Sequence, residues 1–411
     1  MAEPLLRHGD FMKLWVGETI SVFGSQFSPI AIQVAAKNIL HAEPIQFGIL
    51  ASLATLPFLV FGLPVGVWAD RYRRKRIMIY ADIGRALILV SIPLAWLASG
   101  LSMEVFYVVA FATGVLTVFF EICYQSYLPT LVERSQLMDA NSKLQTSQAT
   151  AGGIGPSLAG AVITFVSAPL AIFGDVVGYF FSAGFLSWIR KQESVIPKTG
   201  GSAWRDVREG LSVVFGDVRL RSIAGCTGMS NLFSATYGAI LIPYMIQDFG
   251  FDPFRLGLVL SSAAIGGITG AVSSQRIPKR IGVGRTIVVF AALFCVAPIG
   301  MYFATADTAP LMIGGSLAVS SFAGIVYNVS QVSYRQALVG LNLQGRLNAT
   351  MRTIVWGTLP VGGILGGILA QAFGYHAAIG AAVAVGAFSF LWVLFSPVRG
   401  IKDIPTSPER A

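Results

Sequence analysis

Five ionisable side chains interrupt long apolar stretches of this sequence: Glu18, Asp82, Arg85, Glu121 and Asp175. Such groups are costly in apolar surroundings and are commonly functional. Asp82 and Arg85 stand three residues apart, on one face of a helix, so mutual pairing is the simplest account of them. Because a low dielectric favours the neutral form of a carboxyl group, the acids could bind and release protons near neutral pH. We expect Glu18 and Asp175 to carry protons, with a structural hydrogen bond as the alternative for each.

The composition indicates that lipid surrounds most of the chain. Of its 411 residues, 54% are hydrophobic and 12% are charged, and the mean hydropathy is +0.69. A water-soluble surface does not easily accommodate this balance. Apolar stretches of about 20 residues, the length that crosses a bilayer as a helix, recur from end to end. We predict twelve spans, at 13–38, 45–69, 77–99, 104–124, 141–166, 168–190, 220–247, 255–275, 286–304, 309–331, 347–371 and 375–396.

The basic residues predict the orientation of these spans. With the N-terminus inside, nearly all of the 29 lysines and arginines fall on the inner side. Lys37 and Arg255 fall outside, and Arg85 lies within a span. By the positive-inside rule we expect both termini in the cytoplasm and the chain in the cytoplasmic (inner) membrane. The same asymmetry accounts for the net charge of +9, so we expect no nucleic acid partner. The first apolar segment is too long for a cleavable signal peptide, and we expect it to be span 1.

Patterns for metal binding or catalysis are absent from the sequence. Cys123, Cys226 and Cys295 fall in or at the ends of different spans without paired spacing. There is no nucleotide-binding loop, no metal-ligand cluster and no group of catalytic acids with a nucleophile. We therefore expect no metal, no cofactor, no catalytic residue and no enzymatic activity.

A hydrophilic stretch at 191–219 divides the spans into six and six. We predict an N-terminal six-helix bundle at 1–190, a cytoplasmic linker at 191–219, a C-terminal six-helix bundle at 220–396 and a cytoplasmic tail at 397–411. Within the linker, Trp204, Val207, Leu211 and Val214 recur at helical spacing. This spacing is typical of an amphipathic helix at the membrane surface, although a plain helical linker is an equal alternative.

The two halves also resemble each other in sequence. Adding 207 to the residue number places Ser126-Tyr127 on Ser333-Tyr334, Asn141 on Asn348, Gly155 on Gly362 and Gly160 on Gly367, without a gap. This match indicates a duplicated pair of helices in parallel orientation, as in two-half transporters whose substrate site lies at the repeat interface.

Small residues and proline dominate the matched spans 5 and 11. The positions that we expect to permit close packing or bending are Gly155, Pro156, Gly160, Pro360, Gly362 and Gly363. Glycine lets helix backbones approach each other closely, and proline weakens the local backbone hydrogen bonding. Static packing and bending during transport remain equal alternatives.

The charged turn at 66–76 is the most informative segment. Its pattern, Gly66-x-x-x-Asp70-Arg71-x-x-Arg74-Lys75, resembles the signature loop of the major facilitator superfamily, although a glycine common at position 73 is replaced by arginine. Segments 14–17, 128–141 and 155–160 further resemble the drug:proton antiporter group that includes macrolide and enterobactin exporters. The resemblance implies an all-α integral membrane fold, in which twelve transmembrane helices form two pseudo-symmetric six-helix bundles. Asp175 also matches an acid often seen in the sixth span of this group.

The resemblance implies that the loop is a conformational latch built from Gly66, Asp70, Arg71, Arg74 and Glu121. An aspartate at an inner helix end can accept hydrogen bonds from the N-terminus of a neighbouring helix, which in this family is span 11. We expect Asp70 to cap that helix when the cytoplasmic side is closed, and Arg74 to pair with Glu121. For the other basic residues of the loop, a role in topology alone is the alternative.

In this family the substrate cavity lies at mid-membrane and is lined mainly by spans 1, 4, 7 and 10. The residues that we place there are Gln26, Phe27, Thr113, Thr117, Asn231, Tyr237 and Ser321. The set is polar, aromatic and uncharged, which suits a sizeable, mostly apolar ligand better than a compact anion or a sugar. Ordinary packing between helices is the alternative for each residue.

Together these features predict a monomeric secondary transporter that exports hydrophobic or amphipathic small molecules in exchange for protons. An importer or facilitator of a nutrient or metabolite would have the same fold, and only the direction of coupled flux separates the two. A membrane sensor or enzyme is the third alternative, and the lack of catalytic and nucleotide-binding patterns argues against it.

Overall fold

The computed structural model describes residues 5, 8–69, 72–133, 136–191, 203–339 and 341–403. Contacts divide the chain into two compact units: unit 1 is Met1–Thr199 with Phe251–Ser261, and unit 2 is Gly200–Gly250 with Ser262–Ala411. The helices of unit 1 are α1 (Gly9–Gly24), α2 (Phe27–Asn38), α3 (Pro44–Ala69), α4 (Arg74–Leu97), α5 (Met103–Leu131), α6 (Leu137–Phe165), α7 (Ala168–Ala171) and α8 (Phe173–Ser187).

The second half of the chain is also helical. Its helices are α9 (Ala203–Gly216), α10 (Val218–Phe249), α11 (Pro253–Ser273), α12 (Ile277–Ile281), α13 (Val283–Val296), α14 (Ile299–Tyr302), α15 (Ala309–Leu338), α16 (Leu341–Phe373), α17 (Tyr375–Gly386) and α18 (Leu391–Leu394). A 3-10 helix follows at Pro397–Gly400. The first part of α11, residues 253–261, groups with unit 1.

Each predicted span falls on a helix or on two consecutive helices, and the all-helical membrane fold is confirmed. Within the described residues, nine helical stretches are long and apolar enough to cross a bilayer. They correspond to all the predicted spans except 13–38, 141–166 and 220–247. The total of twelve crossings remains a prediction.

Predicted span 1 is two helices rather than one. Helix α1 ends at Gly24, α2 begins at Phe27, and Ser25 and Gln26 lie between them. Pro29 accounts for the break, because it has no N–H to donate to the carbonyl oxygen of Ser25 one turn earlier. The sequence analysis missed this break because its apolar pattern continues through it.

Large apolar side chains cover the outside of both units. Phe165, Leu311 and Phe395 expose 87%, 77% and 78% of their surface. In water such exposure at so many positions would drive aggregation, whereas in a bilayer the same surface contacts lipid tails. The buried apolar side chains pack between the helices. Those of unit 1 form a core that includes Phe11 and Tyr127, and those of unit 2 form a core that includes Tyr334.

Helices α1 and α8 approach each other through glycines. A β-carbon at Gly24 would lie 2.7 Å from the carbonyl oxygen of Gly174, and one at Gly178 would lie 3.1 Å from the Cα of Ser21. Because these neighbours are backbone atoms, they cannot rotate away. The close approach places Gly24 of α1 beside Asp175 of α8, and Gly17, which precedes Glu18, beside Ser182.

We expect Gly24→Ala to lower the free energy of unfolding by about 1–3 kcal/mol, because the added methyl group overpacks the α1–α8 contact. The measurement is thermal unfolding of the purified protein in detergent. Gly184→Ala, on the outer face of α8, is the matched control, since no described atom lies within 4 Å of its β-carbon position. Equal melting temperatures for the two variants would contradict the proposed packing.

Residues 203–216 of the linker form helix α9. Val214 is fully buried in the core of unit 2, and Leu211 is exposed. The side chains of Trp204 and Val207 lie outside the described part of the structure. The position of α9 at the membrane surface therefore stays a prediction.

Candidate functional site

A cluster of buried ionisable residues lies inside unit 1, where α1, α4, α5 and α8 pack together. Helix α8 contacts both α1 and α4, and α4 also contacts α5. This packing brings Glu18 of α1, Asp82 and Arg85 of α4 and Asp175 of α8 into one region. All four residues are buried, with 9%, 0%, 5% and 3% of their surface exposed, respectively.

Arg85 is the only cation of this cluster among the described residues. Its guanidinium forms an ion pair with Asp82, three residues earlier on α4, as predicted from their spacing. The ring centroids of Phe120 and Tyr179 lie 4.5 Å and 4.1 Å from the guanidinium carbon. Its Nη1 atom donates to Thr117 Oγ1 at 3.5 Å. Two aromatic faces and a hydroxyl group therefore fix the position of the charge.

Glu18 faces the pair from α1. Its carboxyl group interacts electrostatically with Asp82, Arg85 and Glu121. Tyr124, one turn after Phe120 on α5, interacts with both Glu18 and Glu121. Glu18 is thus a buried acid with one cation and two further acids around it, an arrangement that can bind and release a proton.

Asp175 approaches the cluster from the first turn of α8. The hydroxyl groups of Ser28 and Tyr179 face its carboxyl group, which also interacts with Arg85. Its Oδ1 atom is buried and accepts no hydrogen bond within the described structure. A buried polar oxygen is costly unless it is hydrogen-bonded, so Asp175 is a candidate for a functional rather than a structural carboxyl group.

The predicted latch lies at the end of α3 and the start of α4. Asp70 and Arg71 fall outside the described residues, and Gly66 belongs to α3. Helix α4 begins at Arg74, and Glu121 on α5 faces Glu18. The latch and its Arg74–Glu121 pair stay a prediction.

The residues predicted to line the substrate cavity belong to both units. Unit 1 holds Gln26, Phe27, Thr113 and Thr117, and unit 2 holds Asn231, Tyr237 and Ser321. The two threonines bond to their own helix: Thr113 Oγ1 donates to Val109 O at 2.7 Å and Thr117 Oγ1 donates to Thr113 O at 2.8 Å. The Tyr237 hydroxyl accepts a hydrogen bond from Ser234 at 3.3 Å.

Three of the predicted small-residue positions, all of them glycines, lie at close contacts. Gly155 contacts the side chain of Gln26, and Gly160 contacts the carbonyl group of Pro253. In unit 2, Gly362 contacts the carbonyl group of Leu232 on α10. Pro156 lies within the continuous helix α6, and likewise Pro360 and Gly363 lie within α16. Bending at these prolines stays a prediction.

Two residues of the cluster escaped the sequence analysis. Tyr179 follows Asp175 by four residues on one face of α8, and this helical spacing could have identified it. Phe120 contacts Arg85 only through the packing of α5 against α4, which no local pattern predicts. Within the described residues no group of three or more metal-ligating side chains could hold a metal ion.

Asp10, at the start of α1, forms hydrogen bonds with the backbone of Arg190 and Lys191, which follow α8. It accepts a hydrogen bond from Lys13 Nζ at 2.8 Å and from the backbone N–H of Lys191 at 3.0 Å. Burial alone would raise the pKa of the Asp10 carboxyl, but hydrogen bonds from Lys13, Arg190 and Lys191 hold it below its usual value. The ionised form therefore stabilises the fold.

We expect Asp10→Asn to lower the stability at pH 7 by about 1 kcal/mol, through loss of these charge-assisted hydrogen bonds. Because the pKa of Asp10 is lower in the folded than in the unfolded protein, its carboxylate stabilises the fold at pH values above the unfolded-state pKa of about 3.9. This stabilisation is lost as the pH falls through the folded-state pKa. The difference in melting temperature from the unsubstituted protein should therefore shrink below about pH 4. Asp252→Asn, in an exposed pair with Arg255, is the control. A difference that does not change with pH would contradict this role.

The sequence model of the Major Facilitator Superfamily matches residues 14–359. The chain belongs to this superfamily. Its structure agrees with solved members: the TM-score is 0.72 against a bacterial homologue of the iron transporter ferroportin in an inward-facing state, at 17% identity, covering 95% of this chain and 100% of the other. The TM-score is also 0.72 against the D323A mutant of the nucleoside transporter NupG, at 12% identity, covering 93% of this chain and 99% of NupG. These likenesses establish the fold alone.

Curated relatives of this superfamily member include efflux pumps. It is 25% identical over 349 residues to the multidrug efflux pump Tap of Mycolicibacterium fortuitum, covering 82% of this chain and 83% of Tap. It is 25% identical over 282 residues to macrolide efflux protein A of Streptococcus pyogenes, covering 64% and 65%. The uncharacterized MFS-type transporter YfiS of Bacillus subtilis (strain 168) is 28% identical over 220 residues, about half of each chain. The protein is thus a membrane-embedded transporter with efflux-pump relatives.

Proposed function

We propose that this transporter exports hydrophobic or amphipathic small molecules in exchange for protons, by alternating access. The observation that carries the proposal is the group of three buried carboxyls around Arg85 in an apolar helix bundle. Such groups are costly in a membrane and mark ion or proton pathways. The efflux activity named for Tap and for macrolide efflux protein A supports the outward direction.

The proposed substrate is sizeable and mostly apolar. Its proposed contacts are Gln26, Phe27, Thr113, Thr117, Asn231, Tyr237 and Ser321. Pockets for such ligands are mainly apolar and carry a few placed polar groups. Because Thr113 donates to a carbonyl group of its own helix, its hydroxyl oxygen can accept a hydrogen bond from a substrate, whereas the Thr117 oxygen already faces Nη1 of Arg85.

In the proposed cycle, protons at Glu18 and Asp175 couple to the closing of the cytoplasmic side. Asp70 caps span 11 in the closed state, with Gly66, Arg71, Arg74 and Glu121 completing the latch. The protein works as a monomer in the cytoplasmic membrane, with both termini in the cytoplasm. The basic inner loops support this orientation.

The direction and the energy source can be tested in cells that lack their own exporters. We expect cells that express the protein to accumulate less ethidium and less radiolabelled erythromycin than cells with an empty vector. A protonophore should abolish the difference. Higher accumulation in expressing cells would instead establish an importer or a facilitator, and an unchanged difference with the protonophore would exclude proton drive.

A further inference from the structure

Arg335 is a buried arginine in the last turn of α15, in unit 2. Only 7% of its surface is exposed, and its Nε atom is buried without a hydrogen-bond partner. Among the described residues it forms no ion pair, and the group that interacts with it electrostatically is the neutral hydroxyl group of Tyr327. Because arginine stays protonated in proteins, a buried positive charge remains here without a counter-charge, which is strongly disfavoured.

The sequence repeat provides an internal comparison for this position. Subtracting 207 from the residue number places Arg335 on Leu128 and Tyr334 on Tyr127. The two tyrosines are each 1% exposed in the apolar core of their own unit, and Leu128, which is 4% exposed, belongs to the core of unit 1. A leucine therefore fills the matched position in unit 1, and the packing of the helix does not require a charge there.

Arg335 does not cap the C-terminal end of its helix either. A basic side chain can donate to the last carbonyl groups of a helix, as Lys191 Nζ does to Leu131 O of α5 at 3.0 Å. Arg335 forms no such bond within the part of the chain that the structure describes, and its burial keeps it from extending into water. Neither packing nor helix capping accounts for a cation at this position.

Two further polar residues share the helix face of Arg335. Gln331 and Asn328 precede it by four and seven residues, a spacing that places all three on one side of α15. Nε2 of Gln331, which is 2% exposed, donates to Oδ1 of Asn328 at 2.9 Å, while its Oε1 atom is buried without a partner. Buried polar groups are normally satisfied, so this face is incomplete without a further hydrogen-bonding group.

The chemistry and the position of this face favour a carboxylate ligand. A guanidinium presents parallel N–H donors that match the two oxygens of a carboxylate. Asn328 is exposed, so a ligand can reach the face. Ser321, which we place in the substrate cavity, lies seven residues before Asn328 and on the same side of the helix. In the proposed orientation the last turn of α15 lies on the cytoplasmic side, where an exporter takes up its substrate.

We propose that Asn328, Gln331 and Arg335 form a subsite for the carboxylate of a sizeable amphipathic organic acid. The inference rests on the export proposed above, and it names the substrate class. Two N–H groups of Arg335 donate to the carboxylate oxygens, and a third donates to Oε1 of Gln331, one turn away. The amide nitrogen of Asn328, which Gln331 orients, donates to the same carboxylate. A neutral molecule would leave Arg335 without a counter-charge, so the subsite selects acids.

The test compares acids with their neutral methyl esters in Arg335→Leu, which introduces the residue type of the matched position 128 and should fold. Isothermal titration calorimetry of the purified protein in detergent measures the binding of fusidate and of 1-pyrenebutyrate, each beside its ester. We expect the unsubstituted protein to bind each acid at least about tenfold more tightly than its ester, and Arg335→Leu to lose this preference. Equal affinities for acid and ester, absence of binding, or a preference that survives Arg335→Leu would overturn the inference.

Arg280→Leu is the matched control, because it removes an exposed cation of unit 2 and should keep the preference for acids. An equal loss of the preference in both variants would mean that general positive charge attracts the acids, and the subsite would be wrong. If Arg335→Leu does not fold, Arg335→Gln must lose the preference while Arg335→Lys, which retains the charge, keeps part of it. Retention of the preference by Arg335→Gln would then contradict the subsite.

Transport separates this inference from the proposed function. In cells without their own exporters, expression of the protein should lower the accumulation of fusidate, and Arg335→Leu should raise it to the level of empty-vector cells while ethidium export continues. Loss of ethidium export in the same variant would show a general role in transport and would overturn the selective subsite. If the purified protein prefers the acids but expressing cells export neither fusidate nor ethidium, the proposed function fails while the subsite stands.

Discussion

Everted membrane vesicles that contain the Glu18→Gln variant are expected to show no ethidium uptake in response to an acidic interior, beyond that of vesicles without the protein. Glutamine keeps the shape of glutamic acid and, like the protonated acid, can both donate and accept hydrogen bonds, but it has no proton to release. Glu18 is buried beside Asp82 and Arg85, so water cannot replace it easily as a proton carrier. Equilibration of ethidium without a gradient should continue, since the substituted group does not belong to the proposed cavity.

Glu43→Gln is the matched control for this experiment. Glu43 has the same chemistry, but it is exposed and precedes α3. We expect its vesicles to take up ethidium as the unsubstituted protein does. The proton-carrying role of Glu18 would be wrong if Glu18→Gln and Glu43→Gln vesicles responded equally to the gradient.

The single variant Arg85→Gln should strongly lower the stability of the protein. It would leave Asp82, which is fully buried, without its cation. Breaking a buried ion pair by removing one partner costs about 3–5 kcal/mol. Unfolding in mixed detergent micelles, followed by tryptophan fluorescence, measures this loss.

Two further variants show whether the loss of stability in Arg85→Gln comes from a stranded buried charge. Arg255→Gln removes the arginine of an exposed pair and should cost at most about 1 kcal/mol. Adding Asp82→Asn to Arg85→Gln removes the stranded charge as well, so most of the lost stability should return. If the single variant were as stable as Arg255→Gln, Arg85 would not be a desolvated charge in the core of unit 1.

The sequence predicted the helices and the Asp82–Arg85 pair because both depend on local patterns. Apolar stretches of spanning length locate helices such as α4 and α5, and a three-residue spacing places Asp82 and Arg85 on one helix face. The sequence analysis missed the break after Gly24, because a proline early in α2 removes a backbone hydrogen bond but leaves the apolar pattern of the sequence unchanged.

The surroundings of Arg85 could not be predicted from local patterns. Phe120 and Tyr179 belong to two other helices, which contact α4 only after folding. The glycines at 24 and 178 determine how close α1 lies to α8, and sequence alone does not pair them. The charged turn at 66–76 carried the resemblance to the superfamily, but Asp70 and Arg71 lie outside the described residues. Their role as a latch is therefore still a prediction.

Proton-driven export is most directly tested with the purified protein in liposomes. A pH gradient with an acidic interior should drive ethidium to a concentration inside that exceeds the concentration outside, and nigericin, which dissipates the gradient, should release it. Equal concentrations inside and outside despite the gradient, or accumulation only when the outside is acidic, would contradict the account.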